Sequence, residues 1–231
     1  MTMGDGWTTA VRDRLAPGRL LPLAPAAGAW LTERAARQVL VRAVTGVRGA
    51  APGRLRIGAA TEADLPDQPS PDQPFPVPPG GLAPGPLRIE AEFAAVAVGR
   101  PLPETAEEVR AVLLAAAAEL GLAVTEADLR VTNLLEEAPP EPSDGPAPPP
   151  AGHGVPATDD PVALAVLLVP GVAAVTDALG PPVLRTRGAV RVEFAVAADH
   201  PPAEVARAAR AAAAAEAPAD VTVTVLITEV R

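Results

Sequence analysis

The side chains able to do chemistry are few and far apart. The only serines are Ser70 and Ser143, the only histidines are His153 and His200, and cysteine is absent. A hydrolytic centre needs a nucleophile beside a base that activates it. Both serines and His153 lie in Pro-rich stretches, which do not hold reacting atoms to the tolerance catalysis demands. In "ADHPP", Asp199 stands next to His200, but two ligands fall short of a zinc site and no second His or Cys is near. That corner reads as a helix N-cap with a solvated imidazole, since a polar residue just ahead of proline is an ordinary helix start. Asp159 and Asp160 read likewise as caps rather than as paired catalytic carboxylates. The glycines of "PGG", "GPP" and "GVRGA" lack the lysine of a phosphate loop and the strand-to-helix spacing of a dinucleotide fold. No catalytic residue, metal ligand or cofactor follows from the sequence, and the expected function is non-enzymatic.

Composition narrows the classes further. The formal net charge of −9 argues against nucleic acid as a partner, because affinity for a phosphate backbone comes from a basic field. The GXXG clamp of a KH-type RNA module is also missing. Hydrophobic residues make up 48% of the chain, but alanine dominates and the aromatics are only Trp7, Trp30, Phe75, Phe93 and Phe194, so each core must be thin. Every basic residue is arginine, the mark of a GC-rich genome rather than of a function. The absence of cysteine fits a cytoplasmic chain. No signal peptide is visible: "LLPLAPAAGAW" is broken by proline and has no charged region directly ahead of a continuous apolar one. The longest uncharged run begins at Pro161 and ends before Asp177; it is shorter than the roughly 20 residues a spanning helix needs, and Pro170 and Gly171 interrupt it. No direct membrane span is expected.

The elements that must position any site come as a duplication. "EADLPDQPSPDQPFPVPPGGLAPG" and "EEAPPEPSDGPAPPPAGHGVPAT" carry dense proline and few anchors, so both read as extended or disordered. Setting them aside leaves two segments that match in order. "LTERAARQVLVRAVTGV" and "TDDPVALAVLLVPGV" read as capped apolar helices ending at Val-x-Gly-Val, and "GRLRIG" and "PVLRTRG" as short strands. "IEAEFAAVAVGRPLPETAEEVRAVLLAAA" pairs with "VRVEFAVAADHPPAEVARAARAAAA", sharing Glu-Phe at Glu92-Phe93 and Glu193-Phe194 and a Pro-led helix start. "DLRVTNLL" pairs with "VTVTVLI".

The expected fold is therefore α+β: two tandem two-layer units, each helix-strand-strand-helix-strand with a small antiparallel sheet. The expected domains are an N-terminal segment 1–29 with a short amphipathic helix, a first unit 30–137 with a Pro-rich insertion 62–86, a linker 138–157 and a second unit 158–231. Val190, Val192, Phe194 and Val196 alternate with Arg191 and Glu193, which predicts one covered and one wet sheet face. Ala106, Val109, Leu113, Ala117 and Leu120 form the helical stripe that covers the first sheet, and Gly121 stops that helix. Pro170 ends the helix that begins behind Asp160 and Pro161, Gly171 supplies the positive φ of the turn, and Gly46 is expected to play that part in the first copy.

This order, with Val-Pro-Gly-Val at 169–172 and "PAEVA" from Pro202 to Ala206, resembles the alkaline shock protein family of envelope stress response proteins. The resemblance covers most of the chain and is clearest from Thr158 to Arg231. It implies small, cytoplasmic, non-enzymatic bacterial domains held near the membrane by a separate anchor protein. The chain departs from the family pattern where a Tyr-Gly step is common: it has "AADHPP" in one copy and "AVGRPLP" in the other.

Two surfaces stand out as candidate protein-interaction sites. Arg34, Arg37 and Arg42 mark an outer face on the first helix of the first copy, whereas its counterpart "PVALAVLLV" has no charge on any side. A helix that is apolar all round must be covered. Leu164, Leu167 and Leu168 are its candidate contact residues, and the cover is the other copy, a second chain or a membrane-anchor protein. The N-terminal stretch places Trp7, Val11 and Leu15 on one helical side, ready to rest on a membrane surface or a neighbouring domain. The competing expectation is a small-ligand binder or enzyme with its pocket between the copies.

Overall fold

The computed structural model describes residues 18–24, 26–60, 75–96, 100–136 and 158–231. They form four helices and nine strands in two compact units that interleave along the chain, an α+β fold. One unit contains residues 36–60, 85–96 and 100–136; the other contains residues 18–35, 75–84 and 158–231.

The first of these has helix α1 (Glu33–Thr45, most of which belongs here), strands β3 (Ala50–Ala59) and β4 (Leu87–Val96), helix α2 (Leu102–Glu119) and strand β5 (Val124–Leu135). Its sheet runs β3-β4-β5. Strand β4 alternates as the sequence predicts: Leu87, Ile89, Ala91, Phe93 and Ala95 are buried, while Arg88, Glu90 and Glu92 occupy the other face. Helix α2 buries Val109, Leu113, Ala117 and Leu120, with Thr105 and Ala116 beside them. Gly121, at φ +81°, turns the chain so that Leu122 N–H reaches Ala117 O at 2.9 Å, a glycine stop satisfying a terminal carbonyl.

In the other unit, strands β1 (Leu20–Pro22) and β2 (Ala29–Thr32) are followed much later by helix α3 (Pro161–Leu167), strands β6 (Val172–Val175), β7 (Val183–Thr186) and β8 (Ala189–Val196), helix α4 (Pro202–Glu216) and strand β9 (Thr222–Val230). The sheet has six strands in the order β1-β2-β9-β8-β6, and β7 also pairs with β8. Val190, Val192, Phe194, Val223, Val225 and Ile227 are buried on one face, where Val166, Ala209 and Ala213 of the helices are buried too.

Both sheets are mixed rather than antiparallel. Strands β4 and β5 pair parallel, as do β8 and β9. Alternation reports which face is buried and says nothing of direction; a helix between two neighbouring strands returns the chain parallel.

The duplication is written into the hydrogen bonds. Register slips by one residue just after Phe93 on β4 and just after Phe194 on β8. At each slip a threonine hydroxyl bonds the phenylalanine carbonyl, Thr132 to Phe93 O at 3.4 Å and Thr228 to Phe194 O at 3.3 Å. Each sheet also ends on the same turn: Val96 N–H donates to Gly49 O and Ala197 N–H to Gly171 O, both at 2.9 Å. The helix-ending glycine of the first copy is thus Gly49, at φ +81°, the counterpart of Gly171 at φ +89°; Gly46 does not adopt a positive φ. Val47-Arg48-Gly49-Ala50, one step further along than expected, matches Val169-Pro170-Gly171-Val172.

Three other expectations are corrected. The short N-terminal helix expected at Trp7, Val11 and Leu15 falls on residues 1–17, which lie outside the described residues; after them Leu20–Pro22 and Ala29–Thr32 are strands. Leu31 and Thr32 belong to β2, and Thr32 Oγ accepts from Ala35 N–H at 3.3 Å to start α1. Within the Pro-rich insertion, Leu20 bonds both Gly80 O and Leu82 N–H, and Phe75 packs against the buried cluster of Leu20, Trp30 and Leu226. Those additions cover the second face of the six-stranded sheet, so Glu193 is fully buried there rather than wet.

Candidate protein-interaction surface

Helix α3 is short because its ends are fixed chemically. Asp160 accepts from Val162 N–H at 2.9 Å and Ala163 N–H at 3.4 Å, and Pro161 supplies the preset φ of the first turn. Arg185 on β7 holds the same carboxylate, with Nη2 2.9 Å from Oδ1. That hydrogen bond first, then the two backbone donors, hold the Asp160 carboxyl below the ordinary carboxylate range. The helix ends at Leu167 with Leu168 as its C-cap, just ahead of Val169-Pro170.

With its ends pinned, the helix turns Val162, Ala163 and Val166 inward. Leu164 and Leu168, four residues apart and hence neighbours on one side, remain 45% and 84% exposed. Leu167 is half-buried between the two sides. Leu164 and Leu168 thus make the exposed apolar side of the helix, with the half-buried Leu167 beside them, and the Asp160–Arg185 pair stands at the helix N-terminus. Trp7, Val11 and Leu15 lie outside the described residues, as do Ser70, Ser143 and His153.

Asp199 is not the cap of α4: the N-cap is Pro201, whose carbonyl receives the Glu204 and Val205 N–H groups at 3.1 Å. Asp199 Oδ1 instead lies 2.9 Å from His200 Nδ1, and that contact lowers the Asp199 pKa. The His200 ring lies against the Gly171 turn. Asp159 is exposed and Asp160 is the cap. Among the described residues no group of three His, Asp or Glu side chains is placed to hold a metal ion.

Sequence reading missed two features. The first is the buried Glu193. Its Oε2 accepts from Leu179 N–H at 2.9 Å and its Oε1 from Arg191 Nη2 at 2.8 Å, while burial pushes its pKa up to about 7. The backbone of Glu193 holds the same loop at both ends, receiving Thr176 N–H at 3.1 Å and donating to Pro182 O at 2.9 Å. One carboxylate oxygen and both backbone polar groups of Glu193 fasten residues 176–182 to β8, and Arg191 holds the other oxygen, which makes this a structural clamp. Its only sequence signal was the break between "VAAV" and "VLRT", occupied by Gly180-Pro181-Pro182. The second is the wet face of the three-stranded sheet, where Arg54, Arg56, Arg130, Glu90, Glu92 and Asp128 line a cavity of about 250 Å³. The opposite charges there balance, as on an ordinary solvated sheet face.

The chain matches no protein-family model, no curated protein and no solved structure.

Proposed function

We propose that the chain is a non-enzymatic, cytoplasmic protein-interaction module of bacterial envelope homeostasis, docking a protein partner through Leu164, Leu167 and Leu168. The observation that supports this reading is the 84% exposure of Leu168, beside Leu164 at 45%, on a helix rigidly capped at Asp160. An exposed leucine on its own needs no explanation, but paired leucines on a fixed, uncharged helix offer a partner apolar area without an ordering cost. The resemblance to alkaline shock proteins makes a membrane-anchor protein the expected class of partner. No helix among the described residues is long and apolar enough to cross a membrane.

A photoreactive residue at position 168 tests this in cells. The trapped protein, once purified, is expected to bind the full chain at least about tenfold more tightly than the double variant Leu164→Asp, Leu168→Asp, a difference of about 1.4 kcal/mol. Circular dichroism checks that the variant folds. Failure to trap any protein, or equal affinity for the folded variant, rejects the reading.

A further inference from the structure

The two copies treat the outer edge of their last strand differently. In the six-stranded sheet, the edge of β9 that faces away from β8 is filled by β2, running parallel, with Val225 N–H donating to Gly28 O at 3.0 Å. In the three-stranded sheet, β5 is the counterpart of β9, and the matching threonine slips at Thr132 and Thr228 fix the alignment: Leu129 stands for Val225 and Val131 for Ile227. No strand among the described residues pairs with the far side of β5.

We propose that this edge of β5 is a strand-docking site, taking an extended segment of a partner protein parallel to β5 as β9 takes β2. The backbone direction follows from the alignment. Because Val225 N–H points at β2, Leu129 N–H points outward, and so do those of Ala127 and Val131, two residues to either side. Exposure gives a second, independent sign of a missing cover. Val225 and Ile227 are fully buried beneath β2 and the helices, whereas Leu129 and Val131 are only half-buried and Leu134, further along the same face, is 60% exposed.

A third observation concerns Arg110 and Arg210, which hold equivalent places on α2 and α4 behind their capping prolines, Pro101 and Pro201. Arg210 lies over the ring of Phe75, 4.8 Å from its centre, beside a filled edge. Arg110 instead reaches over the open edge and donates its Nε–H to Ala127 O at 3.4 Å. A guanidinium capping a strand carbonyl is a way of guarding an unpaired edge, and an incoming strand displaces it.

The partner's chemistry follows from the two faces it must continue. Side chains on its helix side meet Ala127, Leu129 and Val131 and must be small or apolar, and those on the other side lie beside Glu126, Asp128 and Arg130 and must be polar. Among the described residues the strand of this kind, Ala29–Thr32, is already buried against β9, and the occupant assigned to β5 is a segment of another protein with the same alternating pattern.

Selection of random seven-residue peptides displayed on phage against the full-length chain supplies the probe. Enriched peptides of alternating apolar and polar pattern are expected, and the free peptide should slow amide exchange at Leu129 and Val131 while leaving Val225 and Ile227 unchanged. Leu129→Pro removes the outward N–H without breaking a bond to β4, as an edge strand tolerates, and should weaken binding at least tenfold. Arg110→Ala, which unmasks the Ala127 carbonyl, should strengthen binding several-fold. The proposal fails if no peptide is enriched, if the footprint lies elsewhere, including on Leu164 and Leu168, or if Arg110→Ala binds no more tightly than the parent; that last measurement stands even if Leu129→Pro does not fold. Protection of Leu129 that grows with the concentration of the chain alone would assign the edge to a second copy and overturn the partner.

Discussion

At the scale of single residues, two matched positions separate effects that are usually confounded. Gly49 and Gly171 make the same turn at φ +81° and +89°. A β-carbon at Gly49 meets nothing closer than Val96 Cβ at 3.7 Å, whereas at Gly171 it would lie 2.6 Å from Val205 Cγ2 and 2.8 Å from the His200 ring. Alanine at position 49 should therefore cost only the left-handed backbone term, about 1–2 kcal/mol, and alanine at position 171 that plus overpacking of about 1–3 kcal/mol. Urea unfolding of the two variants checks the ordering; equal losses would mean that the Gly171 turn relaxes freely. Glu193 offers a pH-dependent counterpart. Its folded pKa of about 7 lies above the ordinary 4.5, because burial disfavours the charged form. Between those two values the folded state holds a proton that the unfolded state has released. Its contribution is fully present below pH 4.5 and is lost as pH rises towards 7. The loss is roughly 3 kcal/mol at about 1.4 kcal/mol per pKa unit. Subtracting the stability of Glu193→Gln from that of the parent at each pH isolates this slope, since carboxylates such as Asp160 titrate in both. A flat difference from pH 4.5 to 7.5 would contradict a buried, protonated Glu193.

At the scale of elements, the sequence was most legible where a side-chain period coincided with a buried face. The stripe on α2, the alternation of β4 and β8, the cap at Asp160 and the stop at Gly121 were all readable, because each is decided by residues within one or two turns of one another. What was not readable depends on partners distant in sequence. Strand β2 is four residues long and is held as a strand by β1 on one side and, on the other, by β9, nearly two hundred residues later; without those partners "AWLT" reads as the start of α1. The direction of β5 and β9 was hidden because alternation is the same in parallel and antiparallel pairs. The turn was misplaced by one repeat of Val-x-Gly because Gly46 and Gly49 present the same local pattern, and only the bond from Val96 N–H singles out Gly49. Of the candidate surface, Leu164 and Leu168 were legible from the lack of charge on their helix. Glu193 was not, because alternation placed it on a wet face and the cover came from Leu20, Phe75 and Leu179.

At the scale of the whole molecule, the chain order and the unit order differ. The leading strands ahead of the first copy, β1 and β2, with the tail of its Pro-rich insertion, residues 75–84, bonded to β1, complete the sheet whose remaining strands come from residues 172–230. Without them the second face of that sheet would expose Leu226 and Leu179, and β9 would present an open edge. Burial of Trp30 alone, an area of roughly 150–250 Å² at about 25 cal/mol per Å², contributes at most about 4–6 kcal/mol. That is comparable with the whole stability of a small domain, about 5–15 kcal/mol. A fragment of residues 158–231 made alone should therefore bind a hydrophobic dye, unfold without a sharp transition and lose the slow amide exchange of Val225 that the full chain shows. A synthetic peptide of residues 27–33, added in excess, should restore part of that protection at Val225 before any elsewhere, because Gly28 O is its acceptor. A fragment that unfolds cooperatively with the stability of the parent would show that the second copy carries its own fold unaided, and that β2 and Phe75 are ornaments on it rather than parts of its core.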